Sequence, residues 1–352
     1  MRESESQPET PSMAARLPLL DGLRTVAAIG VMFYHAPELF GDTRLFTRTY
    51  LFVDLFFLLS GFVLTLSAEP KMARGLGTSG FMKARIVRLW PMMALGCLAA
   101  AAVFATQATA GEVFALLVLG MLMIPHLGSN IAIFPLNAPQ WSLVWELVAN
   151  LFHGLVLRHL KDRELLLLSG ISGIALLWAI FHTGWNGSGP NAGFWWLAAP
   201  RVAWSYVLGI WMARRWLTHK PKPLANWLSA LFLPLAALML LPWLPLSLAQ
   251  GDALASLVIL PGLFWIAATA RPPASATAML SRLGALSYPI YALHAPIFLA
   301  FHFLQEGWIT RLCSVAITLV TAQLVALTGP KLRRVFSGLR RTGDKAAPAS
   351  AA

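Results

Sequence analysis

Charge is what this chain has least of. Only 12% of its 352 residues are charged, while 57% are hydrophobic, and the mean hydropathy is +0.66. Soluble domains carry about 25% charged residues, so a soluble fold is excluded and an all-α polytopic membrane protein is expected. Cysteine is almost missing. Cys97 and Cys313 stand in different apolar runs with no CxxC or metal-ligand spacing, which points to inert thiols and to no metal site. A signal peptide is lacking too: Met1–Leu17 is polar, with Pro8, Pro11 and three glutamates, and has neither a basic start nor an apolar core. It reads as a disordered cytoplasmic tail over 1–17, followed by a transmembrane domain over 18–330 and a basic, disordered cytoplasmic tail over 331–352.

Acidic residues are scarce relative to basic ones, and the net charge of +12 raises nucleic acid as a partner. The basic residues, however, gather in short segments between apolar runs, as cytoplasmic loops do. The partner they imply is the lipid bilayer, and no nucleic acid is expected. Apolar runs fall near 19–38, 50–68, 86–106, 112–124, 141–159, 165–182, 194–213, 225–242, 253–270, 285–303 and 311–328. Each is expected to be helical, because a spanning segment must satisfy its own backbone hydrogen bonds.

Lys71, Arg74, Lys83, Arg85 and Arg88 mark one cytoplasmic connection, and Arg158, Lys161 and Arg163 another. Arg214, Arg215, Lys220 and Lys222 mark a third, Arg271 with Arg282 a fourth, and Lys331 to Arg341 the end of the chain. Segment 112–124 breaks this alternation and is short for a span that needs about 20 residues. It reads as a half-helix or interfacial segment. About ten transmembrane helices remain, with both termini cytoplasmic.

Ionisable groups at membrane depth are costly and point to function. Arg24 and His35, eleven residues apart in Leu20–Ala36, would lie roughly 16 Å apart along one helix, about half of a ~30 Å hydrocarbon layer. Arg24, Arg85 and Arg88 fall on the cytoplasmic side. His35, Asp54, Glu146, Arg201 and His294 fall in the middle or outer half. Glu146, Asn150 and His153 share one helical face, which should turn into the bundle. Each group also has a plainer reading. Arg85 and Arg88 would serve as topogenic charge, His35 as a bonded core histidine, Asp54 as a partner of Arg201 or Arg24, and His294 as a bridge to a tyrosine. His153, His182 and His302 read as structural.

Several stretches together resemble the acyltransferase-3 family of integral membrane acyltransferases. They are LDGLRTVAAIGVMFYH from residue 20, FVDLFFLLSGF from 52, RIVRLWP from 85, WSLVWE from 141 and LSYPIYALHAP from 286. The resemblance implies O-acylation, usually acetylation, of a carbohydrate, glycolipid or similar hydroxyl acceptor. The donor would be acetyl-CoA or another acyl-CoA, and the setting a multi-pass protein of the bacterial inner membrane. It implies His35 as the catalytic residue and Arg24, Arg85 and Arg88 as donor-binding residues. It further implies a chain without the SGNH domain of some relatives, with any further transfer made through a separate periplasmic or glycan-assembly partner. In this scheme His35 takes the proton of the acceptor hydroxyl, with Glu146 or Asp54 orienting the ring. Arg201 or a backbone amide would face the oxyanion, and His294, Tyr288 and Ser142 would line the substrate site. A histidine- or serine-bound acyl intermediate, on Ser60 or Ser142, is the mechanistic alternative. Two rivals from other classes are a proton-coupled transporter or flippase and a haem protein ligated by His35 and His294.

Overall fold

The computed structural model describes residues 17–128, 132–303 and 307–345, and all regular structure among them is helical. The tail expected over 1–17 thus lies, Leu17 apart, outside the described residues. In chain order the helices are α1 Pro18–Tyr34, α2 Phe52–Ser67, α3 Glu69–Ala73, α4 Thr78–Phe104, α5 Ala110–Met121, α6 Gln140–Leu155 and α7 Asp162–Thr183. They continue with α8 Ala198–His219, α9 Trp227–Leu240, α10 Leu248–Leu254, α11 Leu260–Thr269, α12 Ala274–His302 and α13 Trp308–Lys345. A π turn, Ala255–Ile259, joins α10 to α11. Of the basic segment expected over 331–352, residues 331–345 continue α13 and the rest lies outside the described residues.

Every apolar run of the sequence corresponds to a helix, and the outer faces suit lipid. Val87, Phe152, Leu167, Ile171 and Ile174 are exposed, which water would penalise and hydrocarbon does not. Six stretches among the described residues are long and apolar enough to cross a bilayer: Thr49–Ala73, Thr78–Phe104, Asp162–Thr183, Leu248–Thr269, Ala274–His302 and Trp308–Gly329. That is fewer than the ten crossings expected, for two reasons. α1, α6 and α9 have 17, 16 and 14 residues, short of a full span, and α8 carries Arg201, Arg214 and Arg215. α5, with 12 residues, reaches only about 18 Å. It starts on a capping box between Thr109 and Glu112, and Gln140 donates to the Gly120 carbonyl at its far end, at 2.6 Å. Its length is that of a half-helix.

α1 ends four residues before the run 19–38 does. Pro37 opens the next turn, and a residue preceding proline is disfavoured in the helical region; Ala36 has φ −128° and ψ 50°. His35 is therefore the C-cap of α1, a correction to its expected place within the helix.

α1 packs against α12, α2 and α9, and α2 packs against α8. Thr25 ties α1 to α12 by donating to the Leu283 carbonyl at 2.6 Å. The α2–α8 crossing is set by a reciprocal pair of glycines. A Cβ at Gly61 would stand 2.1 Å from the Tyr206 carbonyl oxygen, and one at Gly209 would stand 2.2 Å from that of Leu58. Small residues of this kind let membrane helices approach backbone to backbone. Because the obstacles are backbone atoms, neither helix can yield without separating. Gly61→Ala or Gly209→Ala should each cost about 1–3 kcal/mol or more, read as a lower thermal midpoint of the detergent-solubilised protein. An unchanged midpoint would contradict the close crossing.

Candidate active site

Two clefts enter the bundle at opposite ends of α1. The first, about 800 Å³ including its open mouth, is lined by Arg24, Ser60, Arg85, Arg88, Ser142, Glu146, Tyr288 and Tyr291, with apolar walls from α2. The second, about 510 Å³ by the same measure, is lined by Tyr34, His35, Tyr50, Trp141, Trp185 and Arg201. Val53 and Tyr291 line both, so these two side chains are a common wall. Ser142 donates to the Pro139 carbonyl at 2.9 Å. Its single hydrogen is thereby used, so in its 2.7 Å contact with Tyr291 the tyrosine hydroxyl is the donor.

The spacing of Arg24, Arg85 and Arg88 brings all three into the first cleft, but they differ in what they touch. Arg85 is buried and bonds Glu146. Glu146 also accepts from Ser60 at 2.9 Å. Arg24 lies 3.4 Å from Asp21, one turn earlier. Arg88 is exposed to the cleft and has no direct hydrogen bond or ion pair among the described residues. It is the guanidinium free to take an anion. Tyr288 closes one side by donating to the Leu89 carbonyl of α4. The shared face of α6 turns inward as expected. Asn150 and His153 both meet Tyr206, at 2.9 and 3.0 Å, and His153 also meets Glu69 at 3.0 Å.

In the second cleft His35 is exposed and lies beside His294, ring centroids 5.3 Å apart. The pairing of His35 with Glu146 or Asp54 does not occur in these contacts, because both carboxylates are engaged elsewhere. Asp54 bonds Arg201 and accepts from Asn186 at 2.9 Å and Ser256 at 2.7 Å. Arg201 further reaches the carbonyls of Tyr50 at 3.3 Å and Ser188 at 3.4 Å, and lies over the Trp141 ring. Of the expected residues, Asp54 and Arg201 are thus joined to each other, and His35 and His294 to each other.

Sequence reasoning missed Tyr34, Tyr50 and Trp185, which line the second cleft, and Asp252, which holds its outer wall. Asp252 is fully buried. It accepts from Tyr50, from Arg48 at 2.7 Å and from the backbone N–H of Asn186 at 2.8 Å. The signal for Asp252 was present: it is an acid bordering the apolar run 253–270. Outside the spans, the turn after His35 is pinned by Glu38, which takes two bonds from Arg311, at 3.0 and 2.7 Å. Burial pushes the Glu38 carboxyl up, but the Arg311 bonds prevail and hold it below the usual carboxylate range.

A bundle with a cationic cleft at one end and a histidine cleft at the other is what the motifs anticipated, and a family comparison decides the matter. The model of the acyltransferase-3 family, described as an acyltransferase domain, matches residues 17–328. The chain belongs to the acyltransferase-3 family. This acyltransferase is 36% identical over 193 residues to Protein 2 in picA locus of Rhizobium radiobacter, a match covering 49% of this chain and 96% of that protein. It is 31% identical over 150 residues to Acyltransferase MdmB of Streptomyces mycarofaciens, covering 39% of this chain and 38% of that one. No solved structure matches. Both clefts lie within the residues that the family model covers.

The Asp54–Arg201 pair, each side chain 2% exposed, makes a further demand on this enzyme. Removing one partner leaves an uncompensated buried charge and should cost about 3–5 kcal/mol. Asp54→Leu or Arg201→Met alone is expected to lower the thermal midpoint sharply, and the double variant less than the two combined. Additive losses would show that the two charges are not coupled.

Proposed function

We propose that this acyltransferase moves an acyl group, acetyl in the simplest case, from acyl-CoA in the first cleft to a hydroxyl in the second. The acceptor would be a carbohydrate or glycolipid, and the setting the bacterial inner membrane. The observation that carries the reading is the pair of clefts at opposite ends of α1, one arginine-lined and one holding His35, with Val53 and Tyr291 as their shared wall.

The donor is polyanionic and made in the cytoplasm. The basic connection formed by Lys71, Arg74 and Lys83 beside α4 supports a cytoplasmic mouth for the first cleft. Arg88 and Arg24 meet the phosphates there, while Arg85 holds Glu146 in the cleft wall. The pantetheine arm runs along α1 for the ~16 Å between Arg24 and His35, and passes Tyr291 when that ring turns away from Ser142. The thioester carbonyl then stands beside His35, and the acceptor lies among Tyr34, Tyr50 and Trp185. His35 takes the hydroxyl proton as the oxygen attacks the carbonyl carbon. The C–O bond forms, the C–S bond breaks, and the proton leaves on the CoA sulfur. The acyltransferase named among the relatives supports the reaction class.

Two substitutions separate binding from architecture. Arg88→Ala should weaken acetyl-CoA binding by about tenfold, the worth of one charge-assisted hydrogen bond, and flatten its salt dependence while leaving the thermal midpoint unchanged. Arg85→Ala should lower the midpoint, since it strands Glu146. Equal affinity in wild type and Arg88→Ala, by equilibrium binding in nanodiscs, would remove Arg88 from the donor site. For the chemistry, His35→Ala should be folded and bind acetyl-CoA, yet incorporate no labelled acetyl into the membranes of expressing cells. Full incorporation by that variant would sink the mechanism.

A further inference from the structure

His294 lies between Pro289 and Pro296 of α12, where the helix cannot complete its own hydrogen bonding. Its side chain is 0% exposed. Nδ1 stands 3.1 Å from the Ile290 carbonyl oxygen. A carbonyl only accepts, so in the neutral ring Nδ1 carries the proton and Nε2 is a bare lone pair. That Nε2 atom is buried without a hydrogen-bond partner among the described residues. Native proteins keep such atoms rare, and each one calls for an explanation.

Few neighbours could supply a proton donor. The Tyr291 ring lies 5.9 Å away, but its hydroxyl is used on Ser142. Phe298, also at 5.9 Å, offers none. Arg311 sits over the Phe298 ring, 5.1 Å from its centre, and is engaged by Glu38. His35 remains, with its ring centroid 5.3 Å from that of His294 and the planes inclined by 36°. Two imidazoles joined edge to edge through an N–H···N bond of ~2.9 Å have their centroids about 5 Å apart. A small turn of the exposed His35 ring completes that bond.

We infer that His294 is the positioning residue of His35: its bare Nε2 accepts the His35 N–H and so turns the other His35 nitrogen, unprotonated, toward the second cleft. The inference rests on the reading of His35 as the base. A histidine at the C-cap of α1, exposed and with no side-chain hydrogen bond among the described residues, would otherwise sample both tautomers and several rotamers. Holding one N–H fixes the ring and its lone pair together. The same bond persists when His35 becomes an imidazolium, because that form donates from both nitrogens.

Two amide substitutions test this, since asparagine imitates the Nδ1 side of histidine and glutamine the Nε2 side. His294→Asn should keep the donor to Ile290 but lower kcat for acetyl-CoA turnover by about 100-fold, with KM for acetyl-CoA unchanged. His294→Gln, which restores an acceptor oxygen near Nε2, should recover about tenfold of that loss. Nitrogen NMR spectra of the histidine-labelled full chain supply a readout independent of turnover. They should show His294 bare at Nε2, with a resonance that moves on His35→Ala. Wild-type kcat in His294→Asn, equal losses in both amide variants, or a protonated Nε2 each overturn the inference. If His35→Ala itself turns over normally, the proposed function falls. If His35→Ala is inactive while His294→Asn is not, the role of His294 alone falls.

Discussion

Burying the Asp54 carboxylate and the Arg201 guanidinium together is the constraint around which the His35 end of this bundle is built. Desolvating two charges is repaid only if their remaining donors and acceptors are also met, and the chain meets them from four directions. Ser256, in the π turn, and Asn186, in the loop after α7, both donate to the second Asp54 oxygen. The carbonyls of Tyr50 and Ser188 take further Arg201 hydrogens. Asn186 then passes the network on, through its backbone N–H, to Asp252 and so to Arg48 and Tyr50. α2, α8, the loop after α7 and the helix that carries the π turn are thereby held in one register. Tyr50, Trp185 and Arg201, which line the second cleft, sit on that locked frame.

The same chemistry separates the arginines of this protein by what they face. Arg201 faces the buried Asp54 and Arg85 the half-buried Glu146, so each guanidinium is held by a carboxylate inside the protein. Arg88, three residues beyond Arg85 and so on the same side of α4, emerges in the cleft with no direct hydrogen bond or ion pair among the described residues. A guanidinium whose donors are consumed is rigid and unavailable; one whose donors are free can bind an anion. An i, i+3 pair that reads as a matched set therefore divides into one residue held by a carboxylate and one with no such partner among the described residues.

That division was not legible in the sequence, although much else was. Every apolar run fell on a helix, because the lipid requirement acts on consecutive residues, while α3 and most of α10 lie between the runs. The polar face of Glu146, Asn150 and His153 was legible because helical periodicity fixes which side chains share a side. Which neighbour each would meet was legible only in part: Arg201 was among the partners expected for Asp54, 147 residues away, but the Arg85–Glu146 pair, 61 residues apart, and the Asp54–Ser256 bond, 202 apart, were not. Periodicity says that a group turns inward and is silent on what it finds there. Asn186 and Asp252 were passed over for a related reason. They fall in or beside connections free of positive charge, where polar residues are ordinarily solvated, and only the fold carries these two into the interior.

His35 in the second cleft and the buried His294 beside it both occupy places where a helix fails to complete its own hydrogen bonds, and that coincidence has a physical basis. In hydrocarbon an interrupted backbone survives only where protein or a cavity covers it. Pro37 forbids the continuation of α1 and leaves His35 as its cap. Pro296 removes the N–H that would reach Ala292, and Asn137 donates to that carbonyl instead, at 3.0 Å. The break in α12 is covered by the bundle and leaves His294 buried, while the end of α1 opens on the second cleft, where His35 is exposed. A continuous helix would have left His35 on a regular surface facing one neighbour. The broken one lets the ring turn between His294 behind it and the cleft in front, and the base we propose, which must hold one proton while taking another, needs both directions.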